Sequence, residues 1–307
     1  MRLPISLSAS LILVAPLAIV GSVASTQVAI AESEPAHTHD YAHDYEHFYI
    51  GVDGFDVLQS GDYAGLENPN YDRLTFLFSH VEEDPTTNHF HGIGSYSYSS
   101  AVDNPTINST NTNNRIPETY TGLPPLTLQL GTGIHADKLV STSTEEEYSN
   151  LTIEAVSALQ SNEDPGAQYL FNSSDGRWSN SLANAMPSLE LVSITDGLNI
   201  ADDQGLNILT EIGDTYTLGS GDDTTFTPTF WTETSAPAGT YSATFRLMDL
   251  GNTNNGSFRE SGTFNLDFQV TPVPEPSAFL GVGAFALFAF FRKSRLKRAS
   301  REVWIRK

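Results

Sequence analysis

The chain of 307 residues contains 37 acidic side chains, 15 basic ones and no cysteine. Disulfides and thiolate metal sites are therefore excluded, and any metal must be held by histidine, carboxylate or other oxygen ligands. Residues 32–276 contain 36 Asp and Glu but only 6 Lys and Arg, and so acidic a domain repels phosphate and argues against nucleic-acid binding.

Residues 1–31 have the pattern of a secretory signal peptide. Arg2 precedes a long apolar run that ends in the small-x-small sequence Ala29-Ile30-Ala31. We predict cleavage after Ala31, with Ala24 as the alternative site. The rest of the chain is then expected to be exported.

Residues 32–46 are predicted to form a flexible leader rich in histidine. Its histidines and the one at position 47 have the spacing H-x-H-x3-H-x3-H and are interleaved with carboxylates. Histidine-rich tracts are a recognised metal-binding composition, so we predict a chelating arm. The alternative is a solvated leader that binds no metal. The four candidate ligands are His37, His39, His43 and His47, the last of which also opens the first predicted strand.

Residues 47–272 are predicted to form an antiparallel β-sandwich, so the fold class is mainly β. Short runs in which apolar and polar residues alternate are separated by Asn, Asp, Gly, Ser and Pro. The clearest runs are 241–247 and 264–270, which we predict as a terminal hairpin. The other predicted strands are 47–52, 73–81, 92–99, 126–130, 151–159, 188–194, 215–218 and 225–231.

Two segments of this domain give a less regular pattern. Residues 143–160 fit either a strand or a helix, because three apolar residues stand near helical spacing, and a strand is preferred. Residues 101–125 are polar and rich in Asn and Thr, and they are predicted to form a long loop.

A second histidine group lies around the predicted turn that follows residue 80. His80 ends the run LTFLFSH, and the sequence NHFH places His89 and His91 on one face of the next strand. His135, in GTGIHAD, is a candidate fourth ligand. Imidazole is a common ligand of zinc, copper, iron and nickel, and we predict a zinc site from these four residues. The alternative is a set of surface histidines that binds nothing.

Other chemistry is sparse in this sequence. Metalloprotease, serine-hydrolase and phosphate-loop motifs are absent, and the domain is predicted not to be an enzyme. The carboxylate pairs at 202–203 and 222–223 do not follow the spacing of a calcium loop. A metal-dependent hydrolase would need a carboxylate base, for which Glu82, Glu83 and Asp84 are the nearest candidates to His80.

The segment 273–298 consists of a Pro-Glu-Pro motif, an apolar run from 278 to 291 and a cluster of basic residues. Fourteen apolar residues fall short of the roughly 20 that span a bilayer. The basic cluster is expected to hold residues 299–307 in the cytoplasm. This segment resembles the PEP-CTERM sorting signal of Gram-negative bacteria. The resemblance implies that an exosortase-type enzyme recognises Pro274, Glu275 and Pro276, removes the anchoring inner-membrane helix and delivers the protein to the cell surface or extracellular matrix.

Most of the mature chain is similar to a cyanobacterial family of PEP-CTERM proteins that are repressed by the zinc uptake regulator. The similar blocks are HTHDYAHDYEHFYIGVDG, LTFLFSH…NHFHGIGSYSY and PAGTYSATFRLMDLG…SGTFNLDF before VPEPS. The resemblance implies expression under zinc scarcity. It therefore favours zinc binding or acquisition at the cell surface.

The sequence leaves two main functions open. One is an exported zinc-binding protein that scavenges or buffers zinc, because all eight histidines lie between residues 37 and 135 of a strongly acidic chain. Its expected partners are the sorting enzyme and either exopolysaccharide or zinc-uptake components. The alternative is a structural or adhesive matrix protein that requires no metal.

Overall fold

The structure, a computed structural model, describes residues 44–251 and 258–271. These residues are mainly β. The strands are β1 (Phe48–Val52), β2 (Leu74–His80), β3 (His89–Gly94), β4 (Ser97–Ser99), β5 (Thr106–Asn108), β6 (Arg115–Ile116), β7 (Leu126–Thr127), β8 (Gln129–Leu130), β9 (Lys138–Val140), β10 (Ile153–Ala155), β11 (Pro187–Ile194), β12 (Asn199–Ala201), β13 (Asn207–Ile208), β14 (Thr215–Thr217), β15 (Thr225–Phe226), β16 (Thr229–Glu233), β17 (Gly239–Asp249) and β18 (Phe264–Val270). The helices are α1 (Pro165–Asn172) and the 3-10 helices Pro85–Thr87, Thr119–Thr121, Gly133–His135, Val156–Ser161, Ser173–Gly176 and Gly221–Asp223.

The longer strands belong to three sheets. The first sheet has the order β15-β10-β1-β2-β3, and the second has the order β14-β11-β17-β18-β6, with β7 also paired to β18. The third has the order β13-β12-β16-β9-β8, and β4 and β5 pair with each other. Within the described strands, β10 runs parallel to β1, and both β6 and β7 run parallel to β18. The expectation of a purely antiparallel arrangement is therefore wrong at these pairs, since alternation within a strand carries no information about the direction of its neighbour.

The terminal hairpin is confirmed. β17 and β18 pair antiparallel, with Tyr241 opposite Phe268 and Phe245 opposite Phe264. Their alternate apolar residues are buried, as the period of two predicts.

Several predicted strands are divided in the structure. The segment 92–99 is split between β3 and β4, 126–130 between β7 and β8, and 225–231 between β15 and β16. The segment 151–159 is a strand only as far as Ala155, after which Val156–Ser161 is helical, so both alternatives hold in part. The predicted loop 101–125 contains β5, β6 and the 3-10 helix Thr119–Thr121. Where one strand ends and the next begins depends on pairing with strands that are distant in sequence, which local composition does not specify.

The first sheet is covered on both faces. Phe48 and Phe76 face the main core, where the ring of Phe76 stacks on Phe264 of the second sheet at 4.0 Å between centroids. Tyr49 and Leu77 face the other way, into a smaller apolar cluster that includes Leu170 of α1. This double coverage explains why six consecutive residues of β2 are buried.

Helix α1 was not predicted, because eight residues are too few to show a clear helical period. Its start is well marked, since the Asp164 carboxylate accepts hydrogen bonds from the backbone N–H groups of Gly166 and Ala167. Pro165 occupies the first turn. A side chain at Gly166 would collide with the Tyr45 hydroxyl, so the helix packs against the residues just before β1.

No helix in the ranges 44–251 and 258–271 has the length and apolar character needed to cross a bilayer. The predicted signal peptide, almost all of the leader and the sorting segment 273–298 lie outside the described residues.

Candidate metal centre

Strands β2 and β3 bring three of the predicted histidines together. In their antiparallel register His80 stands opposite His89, and His91 stands opposite Phe78. Cross-strand partners and residues two apart share one face of a sheet, so the three imidazoles are neighbours. Their ring centroids are 4.2 Å apart for His80 and His91, 4.8 Å for His89 and His91, and 5.4 Å for His80 and His89.

This histidine cluster lies where the apolar core of the first sheet ends. Phe78 precedes His80 on the same face and belongs to the main core, and its ring meets that of His80 edge to face at 5.0 Å. The side chain of His80 is 12% exposed and that of His91 is 29% exposed. The cluster is therefore half-buried and remains accessible from one side.

A carboxylate that the sequence did not suggest completes the site. Glu118 follows β6, which pairs with β18 of the second sheet, so it reaches the histidines from the opposite side of the core. Its Oε2 is 2.6 Å from Nε2 of His80, and its Oε1 is 2.8 Å from Nδ1 of His91. The site thus joins the two sheets.

The Glu118 carboxylate is almost fully enclosed by donors. It is only 1% exposed. Burial by itself would raise its pKa, but hydrogen bonds from His80 and His91 and their charges outweigh this effect and hold the pKa of Glu118 well below its ordinary value. The group is therefore an ionised carboxylate. Five side chains contact it as donors, which is more than the roughly four lone-pair positions of a carboxylate. They are His80, His91, Asn113, Tyr120 and Tyr148.

The loop before β10 contributes two further groups. Tyr148 has the left-handed backbone angle φ 65°, which is uncommon for an aromatic residue and marks a conformation held by its surroundings. Its hydroxyl donates to Glu118 Oε2 at 2.9 Å. Burial, followed by the charges of Glu118 and Glu147, raises the pKa of Tyr148, so the hydroxyl keeps its proton. Glu147 places Oε1 3.5 Å from Nδ1 of His80.

A count of protons shows what this cluster lacks. Nδ1 of His89 is 2.9 Å from the carbonyl oxygen of Thr87, which can only accept, so Nδ1 carries the hydrogen. Burial lowers the pKa of His89, so its Nε2 bears a lone pair. That lone pair faces Nε2 of His91 at 3.0 Å, and His91 must donate there. Nδ1 of His91 also faces Glu118, and a neutral imidazole has only one N–H. The cluster therefore needs one additional positive charge, supplied by a proton or a metal ion.

Donor atoms of His80, His91 and Glu118 all lie within 4.8 Å of one another, and they form the one group of this kind found within the described ranges. Two imidazoles and one carboxylate suit zinc and similar divalent ions better than calcium or magnesium, which prefer oxygen ligands. Tetrahedral zinc ligands stand about 3.3 Å apart. The contacts from His80 and His91 to Glu118, at 2.6 and 2.8 Å, are shorter than this, so binding a metal would require these donors to separate by roughly 0.5–0.7 Å.

The remaining predicted ligands are outside this group. His47 precedes Phe48, which faces the main core, so strand alternation turns His47 to the opposite face, where it stacks on Tyr49. His135 ends the 3-10 helix before β9 of the third sheet, beside Gly205. His135, the predicted fourth ligand, therefore lies apart from this group. His47, predicted as a ligand of the leader arm, is on the other face of the first sheet. His37, His39 and His43, and also Pro274, Glu275 and Pro276, lie outside the described residues.

Glu118 and Tyr120 were missed because they lie in segment 101–125, whose composition is that of a polar loop. Glu118 is nevertheless the sole acidic residue between Asp103 and Asp137. An isolated carboxylate in a stretch of Asn and Thr was the signal that could have identified it. Because Glu118 is far from the histidines along the chain, the sequence did not indicate that they are in contact.

The buried position of His47 has a consequence for stability against acid. The residue is 4% exposed, its ring nitrogens have no hydrogen-bond partner, and Nε2 is 3.4 Å from Oε2 of Glu154. Burial lowers the pKa of His47 from 6.5 to about 4. The unfolded chain thus binds the proton at a higher pH than the folded protein. The free energy of unfolding is expected to fall by about 3 kcal/mol as the pH drops from about 6.5 to about 4.

Denaturant unfolding at several pH values measures this effect. The variant His47→Phe keeps an aromatic ring on Tyr49 and should lack this part of the pH dependence. Burial raises the pKa of Glu154, and protonation of Glu154 in acid therefore increases the free energy of unfolding. The difference in pH dependence between wild type and His47→Phe isolates the contribution of His47. Equal pH dependence in both proteins would contradict the assignment.

Comparison of the chain with protein-family models, with curated proteins and with solved structures found no match in any of the three.

Proposed function

We propose that this protein binds zinc in the cluster, through Nε2 of His80, Nδ1 of His91 and the Glu118 carboxylate. The observation that carries the proposal is that donor atoms of these three residues all lie within 4.8 Å of one another. A zinc ion there would leave every other ring nitrogen with a suitable partner. Nδ1–H of His80 would face Glu147, and Nε2–H of His91 would donate to His89.

This arrangement makes His89 a positioning residue rather than a ligand. Its Nε2 accepts from His91, and its own N–H is directed at the carbonyl oxygen of Thr87. Partners of this kind fix the orientation of a metal-bound imidazole. The proposal thus differs from the initial expectation of a site made only of histidines.

At the level of the cell, we propose an exported protein that scavenges or buffers zinc when the metal is scarce. The acidic domain would attract cations, and the partly exposed cluster would let zinc enter and leave. The leader histidines would collect the ion, and the first and second sheets would form the sandwich that holds the fixed site. The C-terminal segment would anchor the chain in the inner membrane until an exosortase-type enzyme releases it to the cell surface, where zinc-uptake components or exopolysaccharide are the proposed partners.

A structural or adhesive protein without a required metal is the second candidate. It is favoured by the hydrogen bonds that Glu118 already accepts from both sides of the core. In that case a proton held within the cluster would supply the missing charge. The network would then serve only to fasten the second sheet to the first.

Zinc affinity of the full chain distinguishes the two candidates. The starting protein should carry Ala at His37, His39 and His43, so that the leader does not contribute. Calorimetric titration near neutral pH is expected to show one zinc per chain. Replacing His80 or His91 by Ala should weaken binding at least about 10-fold, and His89→Ala should weaken it about 10-fold by releasing the ring of His91.

The matched control is His135→Ala, which should bind as tightly as the starting protein. If the variants at His80 and His91 bind zinc as tightly as well, the ion is held elsewhere and the proposed site is wrong. A starting protein that takes up no zinc would instead favour the structural candidate.

A further inference from the structure

Tyr120 lies over the three proposed ligands. Its hydroxyl oxygen is 3.3 Å from Nε2 of His80, 3.1 Å from Nδ1 of His91 and 3.3 Å from Oε2 of Glu118. These three atoms are the ones that the metal would use. The side chain comes from the solvent side, since the residue is 62% exposed.

The three distances match those between ligands of a tetrahedral ion. Donors about 2.0–2.2 Å from zinc stand about 3.3 Å from one another, and the phenol oxygen already has this separation from both nitrogens and from the carboxylate. The Tyr148 hydroxyl is different, because Glu118 is the one proposed ligand to which it donates and because Tyr148 is buried. Tyr148 therefore orients the carboxylate, whereas the Tyr120 hydroxyl lies within 3.3 Å of all three donor atoms.

We propose that the Tyr120 phenol oxygen is the fourth ligand, so that the site is a centre of two histidines, one glutamate and one tyrosine. The inference rests on the proposed zinc binding and extends it. When the oxygen binds the cation, its O–H bond breaks and the proton passes to water. The phenolate would add a second negative charge to that of Glu118 beside the divalent ion.

The local backbone supports a shared role for Glu118 and Tyr120. Both lie in the short turn around the 3-10 helix Thr119–Thr121, where the Thr121 hydroxyl donates to the carbonyl oxygen of Glu118 at 2.7 Å. Gly122 ends this helix in the left-handed conformation, with φ 69°. One rigid turn therefore presents both oxygen donors to two histidines from the other sheet.

Ionisation of a tyrosine on zinc binding tests this inference. Zinc is titrated into the full chain with Ala at the three leader histidines, near neutral pH, while the ultraviolet difference spectrum of tyrosinate is recorded. We expect one tyrosinate to form per bound zinc. Tyr120→Phe should abolish the signal and weaken zinc binding by about 10-fold or more. Tyr169→Phe is the matched control, because Tyr169 is also exposed, at 48%, and it lies on α1.

The possible results separate this inference from the proposal on which it rests. If the starting protein binds zinc without a tyrosinate signal, or if Tyr120→Phe binds as tightly, Tyr120 is not a ligand and zinc binding still stands. A signal that survives in Tyr120→Phe but disappears in Tyr148→Phe would assign the ligand to the inner tyrosine and overturn the inference. Absence of any zinc binding would overturn both.

Discussion

Replacing Glu118 by Ala should lower the free energy of unfolding by about 3–5 kcal/mol at neutral pH, the range typical of removing one partner from a buried charged pair. The side chain is 1% exposed and lies between donors from three segments of the chain. Its loss leaves the Tyr148 hydroxyl and the ring nitrogens of His80 and His91 without the carboxylate that they contact. The same change removes a proposed zinc ligand, so zinc should no longer stabilise the protein.

Denaturant unfolding with and without zinc measures both effects. Glu118→Gln keeps the size of the side chain and one acceptor oxygen, so its stability should fall between wild type and Glu118→Ala. Glu83→Ala is the control, since Glu83 is an exposed carboxylate in the turn after β2. If Glu118→Ala were as stable as the Glu83→Ala control, Glu118 would not be a charged and enclosed carboxylate.

Replacing Phe76 by Ala is expected to lower the free energy of unfolding by a similar amount, about 3–5 kcal/mol. Phe76 is fully buried and stacks on Phe264 at 4.0 Å and on Phe48 at 5.0 Å. Truncation removes the main aromatic contact between the two sheets. The packing around this stack is tight, because a Cβ added at Gly94 would lie 2.8 Å from Cδ1 of Phe264 and 2.9 Å from Cβ of Phe76.

Chemical denaturation of the purified variant tests this value. Phe76→Leu retains most of the apolar volume and should be destabilised less than Phe76→Ala. Tyr169→Ala, at an exposed position of α1, should change stability by no more than about 0.5 kcal/mol. A Phe76→Ala protein as stable as Tyr169→Ala would show that the two sheets do not depend on this stack.

The two predictions concern neighbouring parts of one interface. Phe76, Phe78 and His80 follow one another on the same face of β2, from the core outward to the candidate metal centre. The apolar part holds the sheets together, and the polar part places Glu118 against the histidines. Zinc bound there would stabilise the folded chain, because the unfolded chain would not hold these donors in place.

Local pattern was sufficient for part of this site. His89 and His91 are two residues apart in a strand, and a short turn after His80 brings β2 back against β3, so their proximity follows from a period of two and a hairpin. The period of two also explains why His47 lies away from the three histidines, because its neighbour Phe48 faces the main core. The direction in which Phe48 faces could not be read from the sequence, since it depends on how the first sheet packs.

The amino-acid sequence by itself determined the β character of the domain, the terminal hairpin and the approach of His80, His89 and His91, because alternation and turn residues act over a few positions. Only the tertiary structure decided the parallel pairings, the helical turn after Ala155 and the arrival of Glu118, Tyr120 and Tyr148 at the histidines. These depend on which faces can be buried together across the two sheets. The physical reason is that a carboxylate 27 residues from His91 becomes its partner only when a shared apolar core closes the space between them.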